Sequence, residues 1–172
     1  TKSPSTPQGS VERPASALRF GLGAGARFVA RAIDVQQPHL VEVLKRAHAH
    51  RGASLVEILQ NCIVYNDDVF AHITDKKVAA DAQILVEHGK PLVFGKEKNK
   101  GLRLNTKSIS LDIVTVGENG VTIDDILVHD ETNRAQAGFL AGMEAPFPVA
   151  LGVIYCDPVS SYNADVVAQA GR

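Results

Sequence analysis

Apolar positions along the chain change period several times, and each change predicts an element. Phe28, Val29, Ala30, Ala32 and Ile33 are apolar with little interruption, the pattern of a strand covered on both faces. From Pro38 onward, Leu40, Val43, Leu44 and Ala47 return at the 3.6-residue spacing of a helix. Pro38 suits the first turn, where its missing amide proton is not needed. His48, His50 and Arg51 crowd the last turn, where positive charge meets the carbonyl end of the helix dipole, and Gly52 is placed to supply a left-handed cap. Residues 53–59 follow as a second, mostly apolar strand with Glu57 as its one polar interruption. Strand, helix and strand in this order predict a crossover that lays two parallel strands in one sheet, with helices on both faces.

The remaining pattern is less regular. Pro14 is placed to open a short helix running through Leu22, which Gly23 and Gly25 end. Residues 75–88 predict a short, irregular helix. Residues 91–94 and 101–104 flank a lysine-rich turn and predict a hairpin. Residues 110–116 predict a strand closed by Asn119-Gly120, residues 134–143 a helix, and residues 149–155 a last apolar strand. Residues 1–13 are rich in Ser, Thr, Pro and Gly and read as an extended lead-in, and residues 163–172 as a frayed tail. The fold class expected is α/β, a parallel sheet over residues 14–68, followed by a small mixed α+β extension over residues 69–160 and a flexible tail from residue 161.

Composition narrows the function classes. A chain of 172 residues can bury a sizeable core. Its 18 basic and 19 acidic residues leave a net charge of −1, which argues against nucleic acid or an anionic membrane surface as partner. No apolar run approaches the roughly 20 residues that cross a bilayer, and no secretory leader pattern is present. Cys62 and Cys156 are too few for a disulfide framework, so the expected setting is a reducing cytoplasm. The chain starts at Thr1 and its one methionine is Met143, so the expectation is a fragment or a processed piece of a longer protein.

Several motifs carry possible chemistry. Gly21-Leu22-Gly23-Ala24-Gly25-Ala26 matches the dinucleotide fingerprint, but that motif needs a strand before the glycines and a helix after them. Here the predicted order is reversed, so the glycines more simply end a helix and allow close packing. His48 and His50 are two apart on a helix, face different ways, and cannot chelate one ion together. His129-Asp130-Glu131 is similar to a piece of a metal-dependent phosphohydrolase site, yet lacks other histidines at useful spacing and reads as a polar loop. Asp124-Asp125 belongs to the turn chemistry after Gly120. No Gly-x-Ser-x-Gly elbow is present for a hydrolytic serine. The Lys96–Lys100 turn reads as a solvated hairpin tip, with docking of an acidic partner as the functional alternative. Cys62 ends a predicted parallel strand and precedes Tyr65-Asn66-Asp67, and carboxyl ends of parallel strands are where α/β folds bind ligands. A thiolate there can ligate a metal, act as a nucleophile or pack.

A longer pattern decides more than any of these. Residues 28–34 (Phe-Val-Ala-Arg-Ala-Ile-Asp), His39-Leu40, residues 50–62 (His-Arg-Gly-Ala-Ser-Leu-Val-Glu-Ile-Leu-Gln-Asn-Cys) and Tyr65-Asn66-Asp67 resemble the β subunit of 2-oxoacid:ferredoxin oxidoreductases, of the 2-oxoglutarate type. Residues 79–84, 87–95 and 128–131 resemble its C-terminal extension, so that the likeness covers about residues 5–155 in order. The resemblance implies a thiamine-diphosphate-binding fold that carries thiamine diphosphate with Mg²⁺ and a [4Fe–4S] cluster. It implies that Cys62 is one cysteine ligand of that cluster, with the other three ligands and the diphosphate-binding segment upstream of this chain. It also implies partners: an α subunit, ferredoxin, a 2-oxoacid and coenzyme A. No residue here is assigned an acid–base role, and the fragment by itself is expected to be inactive. The chain departs from the family pattern at Ile63, where proline is usual after the cluster cysteine, and in its tail from Cys156 to Tyr162. Two rivals stand beside this reading: a thiamine-dependent decarboxylase or synthase without a cluster, and a non-catalytic module that docks a partner through Lys96, Lys98 and Lys100.

Overall fold

The computed structural model describes residues 6–9, 11–12, 14–64 and 66–171. Much of the predicted lead-in (residues 1–5, 10 and 13), Tyr65 and the terminal Arg172 lie outside the described residues. A four-stranded sheet forms the centre. Its strands are β1 (Phe28–Ile33), β2 (Leu55–Leu59), β3 (Gln83–Val86) and β7 (Val149–Cys156), in the order β2-β1-β7-β3. β1 and β2 are parallel, with Val29 level with Leu55 and Ile33 with Leu59, and α2 (Gln37–Ala49) makes the crossover between them. β7 runs antiparallel to β1 and parallel to β3. The sheet is therefore mixed rather than parallel throughout, and strands from both sides of residue 68 share it. A second sheet of β4 (Val93–Phe94), β5 (Lys100–Asn105) and β6 (Ser110–Thr115) is an antiparallel meander that includes the predicted hairpin.

Alternation along β1 sorts the layers. Phe28, Ala30 and Ala32 turn to one face, where Val43 of α2 is buried among them and Leu40 and Ala47 pack at the margin. Val29 turns to the other face and joins a larger core. That core draws Leu18 and Leu22 from α1 (Ala17–Gly23), Leu140 from α5 (Arg134–Ala141), Leu102 from β5 and Ile154 from β7. Ile33, on the same face, meets Ile73 of α3 (Ala71–Thr74) and Leu151 of β7. Helices thus cover both faces, as the uninterrupted apolar strands require. β7 is buried along almost its whole length, which fits its central position. Gly152 of β7 is at φ +128°, and a Cβ there would stand 2.5 Å from the carbonyl oxygen of Val86, so the β3–β7 pairing needs glycine at this point.

Several local expectations change in the folded chain. α1 starts after Ser16, whose side chain accepts from Arg19 N, so Pro14 precedes the helix rather than opening it. α2 ends with His50 in an extended conformation, and Gly52, at φ +126°, turns the chain two residues later instead of capping the helix. The expected helix over residues 75–88 is a single turn, α4 (Ala79–Ala82), that passes directly into β3. The expected frayed tail holds a helix, α6 (Tyr162–Ala170), capped by the Ser161 side chain and without a buried residue. Among the described residues no helix is long and apolar enough to cross a membrane.

Candidate functional site

Cys62 lies just past the carboxyl end of β2, the end of the sheet where an α/β fold offers open crevices. Its thiol is exposed. The chain reverses tightly around it: Asn66 N donates to Cys62 O at 2.9 Å, and the two residues form an isolated antiparallel bridge. Asn61 Nδ2 donates to Asp67 Oδ1 at 2.8 Å, which also accepts from Asp68 N at 3.0 Å, and Asp68 takes a left-handed φ of +57°. The polar residues after the cysteine therefore build the turn itself. The turn's two apolar side chains, Ile63 and Val64, stay 78% and 76% exposed beside the thiol. Among the described residues nothing covers the Cys62 thiol.

The second thiol is at the opposite end of the sheet. Cys156 pairs in register with Phe28, the first residue of β1, whereas Cys62 lies beyond the level of Ile33, its last. Five residue steps separate those levels, about 17 Å at strand rise. The two cysteines can share neither a disulfide nor a metal. Cys156 is partly buried, and its Sγ lies 3.9 Å from Nδ1 of His50, whose ring tilts against Phe28 at 5.4 Å. Glu131 O accepts from Cys156 N at 2.7 Å, and the Glu131 carboxylate takes a two-pronged bond from Arg46, 2.8 Å on each prong. Burial, reinforced by the Glu131 charge, pushes the Cys156 thiol above its ordinary value. The Arg46 hydrogen bonds hold the Glu131 carboxyl below the usual carboxylate range. A cleft of about 570 Å³ opens beside His50, Arg51, Cys156 and Ser160. A neutral thiol in this setting packs against its neighbours rather than acting as a nucleophile.

The other sequence candidates fall into structural roles. Gly21 faces Leu55 so closely that a Cβ would collide with it, while α1 precedes and β1 follows the glycine run. That order presents no helix N-terminus to a pyrophosphate. His129, expected in a polar loop, is fully buried. Its Nδ1 meets Gln136 Oε1 and its Nε2 meets Val153 O, each at 2.9 Å, so neither ring nitrogen is open to a metal. Asp125 closes a reciprocal cap with Thr122 over a short 3₁₀ turn, and these hydrogen bonds lower its carboxyl. Among the described residues no group of three or more His, Cys, Asp or Glu side chains could hold a metal ion.

Sequence reasoning missed two pairings. Arg31 and Glu57 stand at one level on adjacent strands and pair at 2.5 Å, largely buried, at the wall of a cleft of about 270 Å³ also lined by Arg19, His72 and Glu144. The single charge in each strand was the available signal, but only the register shows that they face each other. His50 and Cys156 are 106 positions apart, and nothing local links them.

No protein-family model matches the chain. Over 126 residues, 73% of its length, it is 42% identical to the 2-oxoglutarate oxidoreductase subunit KorB of Mycobacterium tuberculosis, covering 32% of that protein. The chain is a homologue of 2-oxoacid:ferredoxin oxidoreductase β subunits. The β subunit of the 2-oxoacid:ferredoxin oxidoreductase of Saccharolobus solfataricus is 31% identical over 77 residues, 45% of this chain and 25% of that one. A solved 2-oxoglutarate:ferredoxin oxidoreductase from Magnetococcus marinus, with 2-oxoglutarate, coenzyme A and succinyl-CoA bound, superposes on 99% of this chain and 44% of its own with a TM-score of 0.61. At 19% identity that likeness speaks for the fold alone. The chain spans about a third or less of these curated relatives and under half of the solved neighbour.

Proposed function

We propose that this chain is part of the β subunit of a thiamine-diphosphate-dependent 2-oxoacid:ferredoxin oxidoreductase that converts 2-oxoglutarate, or a related 2-oxoacid, to its acyl-coenzyme A. The observation that carries the reading is the 42% identity to a 2-oxoglutarate oxidoreductase subunit over most of the chain. The partners are then an α subunit, ferredoxin, the 2-oxoacid and coenzyme A, in a reducing cytoplasm that keeps thiolate ligands reduced.

Within that reading Cys62 is one thiolate ligand of a [4Fe–4S] cluster. Its exposure at the carboxyl end of β2 and the tight turn that presents it support the role. The other ligands lie outside the described residues, since Cys156 is at the far end of the sheet. The described residues likewise offer no grouping that fits Mg²⁺ for thiamine diphosphate. Those groups, when bound, supply the decarboxylation and one-electron chemistry. This chain contributes the anchor: a thiol fixed by the Cys62–Asn66 turn at a defined point on the sheet, and so a fixed position for one corner of the cluster.

In the complete enzyme, Cys62→Ser should lose cluster iron, the thiolate-to-iron charge-transfer absorbance and ferredoxin reduction. A variant with full iron and full activity would overturn the assignment. Wild-type enzyme that decarboxylates 2-oxoacids without binding iron would favour the cluster-free thiamine enzyme instead.

A further inference from the structure

The lysines of the hairpin turn do not stand alone on the folded surface. Gly95 N donates to Ala80 O at 2.8 Å, and Lys100 Nζ meets Asp81 Oδ1 at 2.7 Å, so the turn is fastened to α4. Lys76 and Lys77 lie four and three residues before Ala80, in the turn that leads into α4. These contacts bring the turn that carries Lys96, Lys98 and Lys100 against the segment that follows Lys76 and Lys77, two basic stretches separated in sequence. Three carboxylates stand among them, Asp75, Asp81 and Glu97. Two of these are engaged: Asp81 holds Lys100, and Asp75 Oδ1 accepts from Lys77 N at 2.9 Å. Lys76, Lys77, Lys96 and Lys98 are exposed and make no ion pair among the described residues. In a chain of net charge −1 this is a local excess of positive charge that the tertiary structure assembles.

Its position relates it to Cys62. α4 leads into β3, whose first residue Gln83 pairs with Val149 at the start of β7. Since β7 is antiparallel to β1, that is the end of the sheet where β1 and β2 finish and where Cys62 follows. β2 and β3 are three strand intervals apart, about 14 Å at ordinary spacing.

We propose that this lysine surface is the docking site for an acidic electron-accepting protein, placed on the same end of the sheet as the thiol that anchors the electron donor. The electron-transfer part rests on the function proposed above. The physics suits a carrier that must arrive and leave at each turnover. Exposed, unpaired lysines raise the encounter rate and orient an acidic partner without contributing the buried contacts that slow release.

The test uses the complete enzyme with a ferredoxin of net negative charge, and methyl viologen as an acceptor that needs no docking surface. In the variant Lys76→Glu, Lys77→Glu, Lys96→Glu and Lys98→Glu, kcat/KM for ferredoxin should fall about tenfold or more at low salt, with viologen reduction unchanged. The gap should close as salt is raised, and arginine at the same four positions should restore the rate. Equal kcat/KM for ferredoxin in wild type and glutamate variant, with viologen reduction intact, overturns the docking surface and leaves the activity standing. Absence of viologen reduction by the wild type overturns the activity instead. Equilibrium binding of the same ferredoxin then decides docking alone: salt-sensitive binding lost in the glutamate variant upholds it, and equal binding sinks it.

Discussion

The two ends of the central sheet treat a cysteine in opposite ways. At the carboxyl end of β2, Cys62 is exposed in a turn held by its own polar residues, with Ile63 and Val64 projecting beside it. At the other end, Cys156 is set among Phe28, His50 and the Arg46–Glu131 pair, and burial raises its thiol. The difference follows from strand position. Cys156 is the last residue of a central strand flanked by β1 and β3, while Cys62 lies beyond the end of an edge strand. The residue type is the same at both places, so its chemistry is set by what the sheet puts around it. A thiol available as a ligand and a thiol that packs are distinguished by topology.

The largest way to test this contrast is by stability. Phe28→Ala, at the closed end, should destabilise the chain by about 3–5 kcal/mol, because it empties a fully buried aromatic site. Ile63→Ser, at the open end, should stay within about 0.5 kcal/mol in urea unfolding. A comparable loss from both would mean that the Cys62 turn is packed after all. Next in size is reactivity. In the chain with no cluster bound, a maleimide at neutral pH should modify Cys62 about tenfold or more faster than Cys156, followed by mass spectrometry of the peptides, and equal rates would break the comparison. Removing His50 as His50→Ala should narrow that gap by exposing Cys156.

The smallest expected effect concerns the ion pair beside Cys156. Arg46→Met should cost about 1 kcal/mol, since the arginine is half exposed and solvent screens much of the interaction. The folded Glu131 carboxyl is depressed, so its stabilisation is complete above the ordinary carboxylate pKa and disappears as pH falls through the depressed value. Wild type and Arg46→Met should therefore differ near neutrality and converge in urea titrations as pH falls through the depressed Glu131 value. A gap that persists in acid would assign the effect to packing of the arginine stem.

How much was legible depended on whether the signal was local. β1, α2 and β2 were readable because apolar period and Pro38 act within one segment. The hairpin was readable for the same reason. β3 was not: Gln83-Ile84-Leu85-Val86 follows an alanine-rich turn that favours helix, and becomes a strand because β7 offers it a partner. α6 went unread because it carries no apolar stripe strong enough to mark it, and its start depends on the Ser161 cap. Of the site, the position of Cys62 after a parallel strand could be inferred, whereas its exposure and the partners of Cys156 could not.

What the sequence determined by itself is the set of segments with strong periodicity, the presence of two cysteines without a disulfide framework, and kinship to a β-subunit family through a long ordered pattern. Tertiary structure alone decided the rest. It placed β7, from late in the chain, beside β1, and so put the two thiols at opposite ends of one sheet. It joined Arg31 to Glu57 and His50 to Cys156, and it brought two basic segments into contact. The physical reason is common to all of these. Local pattern reports which face of a segment is apolar, but strand order and register are set by the simultaneous burial of every such face, which no single stretch of sequence contains.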